Sequence, residues 1–464
     1  MPIVRSTRIV LPDGVRAASI HIADGIIARV GAYGDDGRNG TASGERHSEL
    51  IDVGALVVSP GIVDTHVHVN EPGRTEWEGF DTATRAAAAG GVTTIVDMPL
   101  NSIPATTTVD ALDAKRAAAH GRCHVDVAFW GGVVPGNESE LEGLVDAGVR
   151  GFKCFLVPSG VDEFPAVDEH HLRSAMPAIA RRNVPLLVHA ESPVVIADCG
   201  SRIADSRHGG LPNPQSAIRN PRSYLSYLST RPPEAEVQAI RLIVRLALEY
   251  GARVHIVHVA SADAVHEVEQ AKAAGAAITA ETCPHYLTFA AEEIPDGATE
   301  FKCAPPIRES RHRDALWHGL RRGVLDLIAT DHSPAPPSLK CPGDFMRAWG
   351  GIASLQLTLP AVRSGVAQRS ATCHQIARWM SEAPATLAGL GDRKGRIAPG
   401  YDADLCVWDP DAEQTVDASW LQHRHKLTPY AARRLRGRVM TTFLRGERVW
   451  NAGQLVQADS GHLL

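Results

Sequence analysis

Pro60-Gly61-Ile62-Val63-Asp64-Thr65-His66-Val67-His68-Val69-Asn70-Glu71-Pro72-Gly73 is the stretch on which the reading of the fold turns. An apolar, β-branched run carries two histidines two residues apart. Side chains on a strand alternate faces, so this spacing puts both imidazoles on one side. Neutral imidazole is a common ligand for zinc and its neighbours. If the run is the first strand of a parallel barrel, its C-terminal end is where catalysis in such folds is found. Spacing alone decides little, because among 21 histidines one His-x-His pair is expected about once by chance. A second pair, His423-Arg424-His425, lies among Arg and Lys with no strand leading into it and reads as solvated surface.

Outward from Pro60 the chain alternates short apolar runs with helix-like segments. Candidate strands are 61–66, 92–97, 124–130, 149–155, 185–189, 253–259, 276–282 and 324–330. Helical patterns fill 80–90, 107–119, 138–147, 168–182, 233–250, 261–274 and 309–321. Eight strands alternating with helices predict an α/β fold, a (β/α)8 TIM-like barrel whose strands are buried on both faces. Residues 1–57 show alternating runs broken by Asp-Gly turns, and strand patterns return after Gly395. The expected organisation is a barrel over 58–392 and one small β-sandwich-like domain assembled from 1–57 and 393–464. Three polar stretches read as loops: 35–49, and two candidate lids or substrate-binding loops, 199–232 and 332–350, on the catalytic side.

Composition bounds the partners. A chain of 464 residues with 44% hydrophobic and 22% charged residues suits a barrel-sized domain plus a smaller one. The net charge of −6, with no long basic run, argues against nucleic acid. Eight scattered cysteines without a Cys-x-x-Cys pair read as reduced thiols. With no signal-like N-terminus and no long apolar window, the expectation is a cytoplasmic protein without a membrane partner.

Further strand-like runs end in ligand-type residues. These are Lys153 between Phe152 and Cys154-Phe155, His189 before Ala190-Glu191, His255 and His258, and Asp331 before His332. His255 and His258 differ by an odd number, so alternation lets only one point inward. A protonated lysine cannot ligate a cation and is costly to bury unpaired. Lys153 is therefore either salt-bridged or snorkelling, or its amine has added carbon dioxide to give a carbamate able to bridge two metal ions.

The chain resembles the cyclic amidohydrolases over nearly its whole length. The motifs are Asp64-Thr65-His66-Val67-His68, the run Glu71 to Phe80, Asp97-Met98-Pro99-Leu100-Asn101-Ser102 and Gly151-Phe152-Lys153. Others are Glu281-Thr282-Cys283-Pro284-His285-Tyr286-Leu287, Lys302-Cys303-Ala304-Pro305-Pro306-Ile307-Arg308, Ala329 to Pro334 and Lys426 to Tyr430. The resemblance implies two divalent metal ions, zinc or else iron, cobalt or manganese. His66, His68 and Asp331 would hold the more buried ion, and His189 and His258 the more exposed one. Lys153, carrying carbon dioxide as its carbamate, would bridge them. Asp331 would also be catalytic, moving a proton from the attacking water to the leaving ring nitrogen.

Two positions bear on the substrate. Dihydroorotase-like members place a carboxylate-clamping Arg where this chain has Asn70, so an uncharged ring is expected. Hydantoinase-like members place a Tyr donor where this chain has Pro158. The resemblance implies hydrolysis of a neutral ureide, allantoin to allantoate, with hydantoin or dihydropyrimidine rings as the alternative and a metal-free scaffold as a further one. Asn70, Cys303, Ala304, Trp349, Gly350 and Ser333 are expected substrate contacts, although Ser333 also suits an ST-turn. The same resemblance implies a homo-oligomer, a tetramer.

Overall fold

The structure is a computed structural model and describes residues 2–35, 49–197, 220–367 and 371–464. Most of the 35–49 loop and the part of 199–232 up to residue 219 lie outside the described residues.

Eight parallel strands form the barrel. They are Ile62–Val67, Val92–Asp97, Asp126–Phe129 continuing into Gly131–Gly132, Phe152–Phe155, Leu186–His189, Val254–Ile256, Ile278–Thr282 and Leu327–Ile328. Consecutive strands pair in parallel register along the chain. The ring closes where His332 bridges Val67, its N–H donating to the His66 carbonyl and its carbonyl accepting from the His68 N–H. Closure thus joins the stretch that opens the barrel to the one that ends it.

The intervening helices begin where local chemistry starts them. Thr108 caps Val109–Ala119, Ser261 caps Ala262–Ala273, and Asp168 forms a capping box with His171 at the head of Glu169–Arg182. The alanine-rich helix Phe80–Ala89 buries five of its alanines, letting its backbone approach closely. Among the described residues, no helix is long and apolar enough to cross a membrane.

The two ends of the chain share one nine-stranded sheet. Its order runs 454–455, 447–451, 434–444, 405–415, 57–60, 3–11, 14–23, 26–31, with 50–52 alongside 3–11. The hairpin at Asp24-Gly25 uses positive φ at both positions (51° and 79°), the conformation that an Asp-Gly pair supplies for a tight two-residue turn. A buried ion cluster ties this sheet to the barrel. Lys394 Nζ lies 2.5 Å from Asp126, 2.7 Å from Asp404 and 3.0 Å from Asp402, and Arg445 also meets Asp126.

Two expectations are corrected. His423 is not solvated: its ring is fully buried 5.7 Å from that of His332, and the Arg424 N–H donates to Glu78. The segment packs against the loop that follows the first barrel strand, while Arg424 and His425 stay at the surface. Nor does alternation exclude one of His255 and His258. Register sets His255 on the face that carries Leu187 and Lys153, and His258 reaches the same interior because the strand ends at Ile256. His258 then turns with φ of 42°.

Candidate metal centre

The first barrel strand delivers His66 and His68, and the chain after the last strand delivers Asp331, whose φ of 48° turns its carboxylate back across the barrel mouth. Asp331 Oδ1 lies 3.2 Å from His66 Nε2 and 3.4 Å from His68 Nε2. One ligand atom from each of the three lies within 4.8 Å of the others, and all three residues are buried. Asp64 braces the group from below, accepting from the backbone N–H of His66 and of Thr330.

Glu281 sets the chemistry of His66. Its carboxylate takes the Nδ1 side of the ring and also meets His255 Nε2 at 3.0 Å, so the ring is held with its Nε2 toward Asp331. Burial pushes the Glu281 carboxyl up, but His66 and His255 outweigh it and bring it down to about 2. Burial likewise opposes ionisation of Asp331, and His66 and His68 hold its carboxyl well below the usual range. Burial brings His68 down to about 4, so that ring is a free base at neutral pH.

A second pair stands beside the first. His258 Nε2 and His189 Nδ1 face each other at 2.9 Å, and the His66 and His258 ring centroids are 5.5 Å apart. His189 Nε2 meets Glu191 at 2.8 Å, which fixes the proton there and leaves Nδ1 with a lone pair. Glu191 is itself paired with Arg231. As neutral rings His189 and His258 share one hydrogen bond, His258 Nε2 donating to the His189 Nδ1 lone pair, and on loss of that proton both nitrogens could turn to one cation.

Lys153 is the third member. Its ammonium is wholly buried and finds no hydrogen-bond partner among the described residues, with the Phe155 ring 5.0 Å away. Burial brings it down to about 8. Neither the salt-bridged nor the snorkelling reading of Lys153 matches this position. The imidazole nitrogens, the carboxylate and the unpartnered amine together fit divalent cations, as the chemistry of the set requires.

His66, His68, His189, His258 and Asp331 line a cavity of about 540 Å³, with Lys153 buried beneath them. Of the expected substrate contacts, Cys303, Ala304, Ser333, Trp349 and Gly350 line it. Asn70 does not: it is buried behind the wall, with both amide atoms unpartnered among the described residues, because the chain folds back after His68 and pairs Asn70 N–H with the Glu78 carbonyl. Asn101 takes a place on the wall, with φ of 72° and an unpartnered Oδ1. Pro158 lies there too and donates nothing. The 332–350 connection is the far wall, where Gly351 (φ 142°) passes so near Ser333 that a Cβ would fall 2.3 Å from its carbonyl oxygen. The sequence reading missed Glu281 and Glu191. Glu191 carried a signal, lying two residues beyond His189 and so on the same face; Glu281 lay unassigned inside a quoted motif.

Residues 57–449 match the Amidohydrolase family. An allantoinase of Streptomyces avermitilis is 48% identical over 462 residues, covering 100% of this chain and 98% of its own. An allantoinase of Arabidopsis thaliana is 43% identical, covering 99% and 90%. Among solved structures, the L-hydantoinase (dihydropyrimidinase) of Arthrobacter aurescens superposes with a TM-score of 0.89 at 32% identity, covering 100% of this chain and 99% of its own.

Proposed function

The chain belongs to the amidohydrolase family, and from that premise we propose that it is a metal-dependent hydrolase that opens the ring amide of allantoin to give allantoate. Full-length similarity to allantoinases at 48% and 43% identity supports the substrate. The observation that carries the chemistry is the pairing of the His66–His68–Asp331 cluster with His189 and His258 around the unpartnered Lys153 amine.

His66, His68 and Asp331 would hold one divalent cation and His189 and His258 the other, with carbamylated Lys153 between them; zinc suits this set. Such cations lower the pKa of water into the neutral range and polarise the carbonyl that is attacked. The protein does the rest. Glu281 and Glu191 fix the tautomers of His66 and His189 and hold their rings in orientation. The Asp331 carboxylate, ionised across the working range, accepts the proton of the attacking water and returns it to the departing ring nitrogen. Lys153, brought near 8 by burial, has a neutral amine population available to carbon dioxide at neutral pH.

The wall favours a neutral, amide-rich ring. Asn101, Ser333, the Trp349 indole and peptide groups around Cys303 and Gly350 offer hydrogen bonds, position 70 brings no guanidinium to the cavity, and the lining Arg231 is already paired with Glu191. The reading extends to a cytoplasmic location, which the free cysteines suit, and to a homotetramer. Sedimentation of the metal-loaded protein tests the tetramer. Measuring metal content and allantoin turnover together tests the function: activity should rise with metal loading and vanish on chelation.

A further inference from the structure

The sequence motif around Cys303 contains a lysine that the chemistry above leaves without a task. Lys302 is nearly buried, and its ammonium donates to the carbonyls of Ala348 (2.6 Å) and Met346 (3.2 Å). Lys340, also buried, donates to the carbonyls of Trp349 (3.2 Å) and Gly351. Among the described residues neither ammonium forms an ion pair with a carboxylate. Burying a charge without a counter-charge is unfavourable unless strong dipoles replace water, and here four peptide carbonyls do so.

The placement is specific. The peptide before Trp349 is gripped by Lys302 and the peptide after it by Lys340, so both sides of one α-carbon are pinned by separate cations. Backbone bonds complete the frame: Trp349 N–H donates to Leu339, and Gly351 N–H to Lys302. The Trp349 indole, whose buried N–H has no partner among the described residues, packs edge-on against Trp77 with ring centroids 4.9 Å apart. Residues 346–351 are wall residues of the catalytic cavity.

We propose that Lys302 and Lys340 are positioning residues: their ammonium groups hold the 346–351 segment in the one shape that presents the Trp349 indole and the Gly350 peptide to the amide edges of a neutral ureide. The inference rests on the substrate reading above. It assigns ground-state recognition, not bond-breaking, to this wall. Loss of either grip therefore raises KM more than it lowers kcat.

The test compares Lys302→Met, Lys340→Met and Lys302→Arg with the wild type, all metal-loaded. Steady-state kinetics on allantoin are combined with hydrogen exchange of the 346–351 amides. Each Met variant should raise KM about tenfold, the scale of a lost charge-assisted hydrogen bond, while kcat falls less than about threefold. Metal content should stay at the wild-type level and exchange in 346–351 should accelerate. Lys302→Arg should recover part of the KM. Unchanged KM with unchanged exchange overturns the proposal, as does an equal loss of kcat and metal. If the Met variants do not fold, Lys302→Arg decides alone: a raised KM with kcat retained supports the clamp, and an unaltered KM overturns it. If the wild type does not open allantoin, the substrate reading fails, and the exchange measurement still judges the grip.

Discussion

At the scale of the residue, the unpartnered Lys153 amine makes the sharpest demand. Lys153→Ala should lose metal and activity together, and short-chain carboxylates should restore part of both; full metal occupancy in that variant, measured by elemental analysis, contradicts the bridging role. Asp331→Asn separates ligation from proton transfer. It should lower turnover by more than about a hundredfold while lowering metal content far less. Glu281→Gln removes the charge behind His66 and should weaken metal binding about 10–100-fold, read by competition with a chelator. The positions proposed as ligands could be picked out because each lies at or near the end of an apolar run. Of their partners, Glu191 had a spacing signal two residues beyond His189, whereas Glu281, an acid reaching His66 from another strand, had none. Asn70 misled for a related reason: its position in the motif is that of a clamp, yet the turn after His68 carries it behind the wall.

Elements bring in packing that pattern alone does not contain. The odd separation of His255 and His258 excludes a shared face only while the strand lasts, and it ends between them at Ile256. His423 reads as surface from its basic neighbours, but the long-range contact that buries it, with a loop some 350 residues earlier, leaves no local trace. The eight strands were legible because a strand buried on both faces is an uninterrupted apolar run, and the seven long helical patterns have counterparts; the short helices Tyr224–Ser229, inside the stretch read as a loop, and Pro284–Thr288 were not read. The seam between barrel and sheet yields a prediction. Lys394→Met leaves Asp126, Asp402 and Asp404 buried together without their central cation, and should destabilise the protein by about 3–5 kcal/mol in chemical unfolding. Stability should also depend on pH with a definite sign. Burial lowers His68 from 6.5 to about 4, so between these values the unfolded chain binds the proton that the folded one refuses. The melting temperature of the metal-free protein should therefore fall as pH drops from 6.5 toward 4, and His68→Gln should flatten part of that slope.

For the whole molecule the claim is substrate choice, since the barrel and its metal ligands suit several cyclic amides and the L-hydantoinase superposes closely. Dihydroorotate carries a carboxylate, and position 70, where a clamping Arg would stand, holds an Asn that does not reach the cavity. A missing charge-assisted contact is worth about 1.5–3 kcal/mol, or roughly tenfold to a few hundredfold in kcat/KM. Hydantoin is the closer competitor, being the allantoin ring without its ureido arm. Buried donors and acceptors that meet that arm lose their partners when it is absent, which favours allantoin. The deciding measurement is kcat/KM on allantoin, hydantoin and dihydroorotate with one metal-loaded preparation. Allantoin should exceed hydantoin by at least about tenfold and dihydroorotate by more. Equal or greater efficiency on hydantoin would contradict the account.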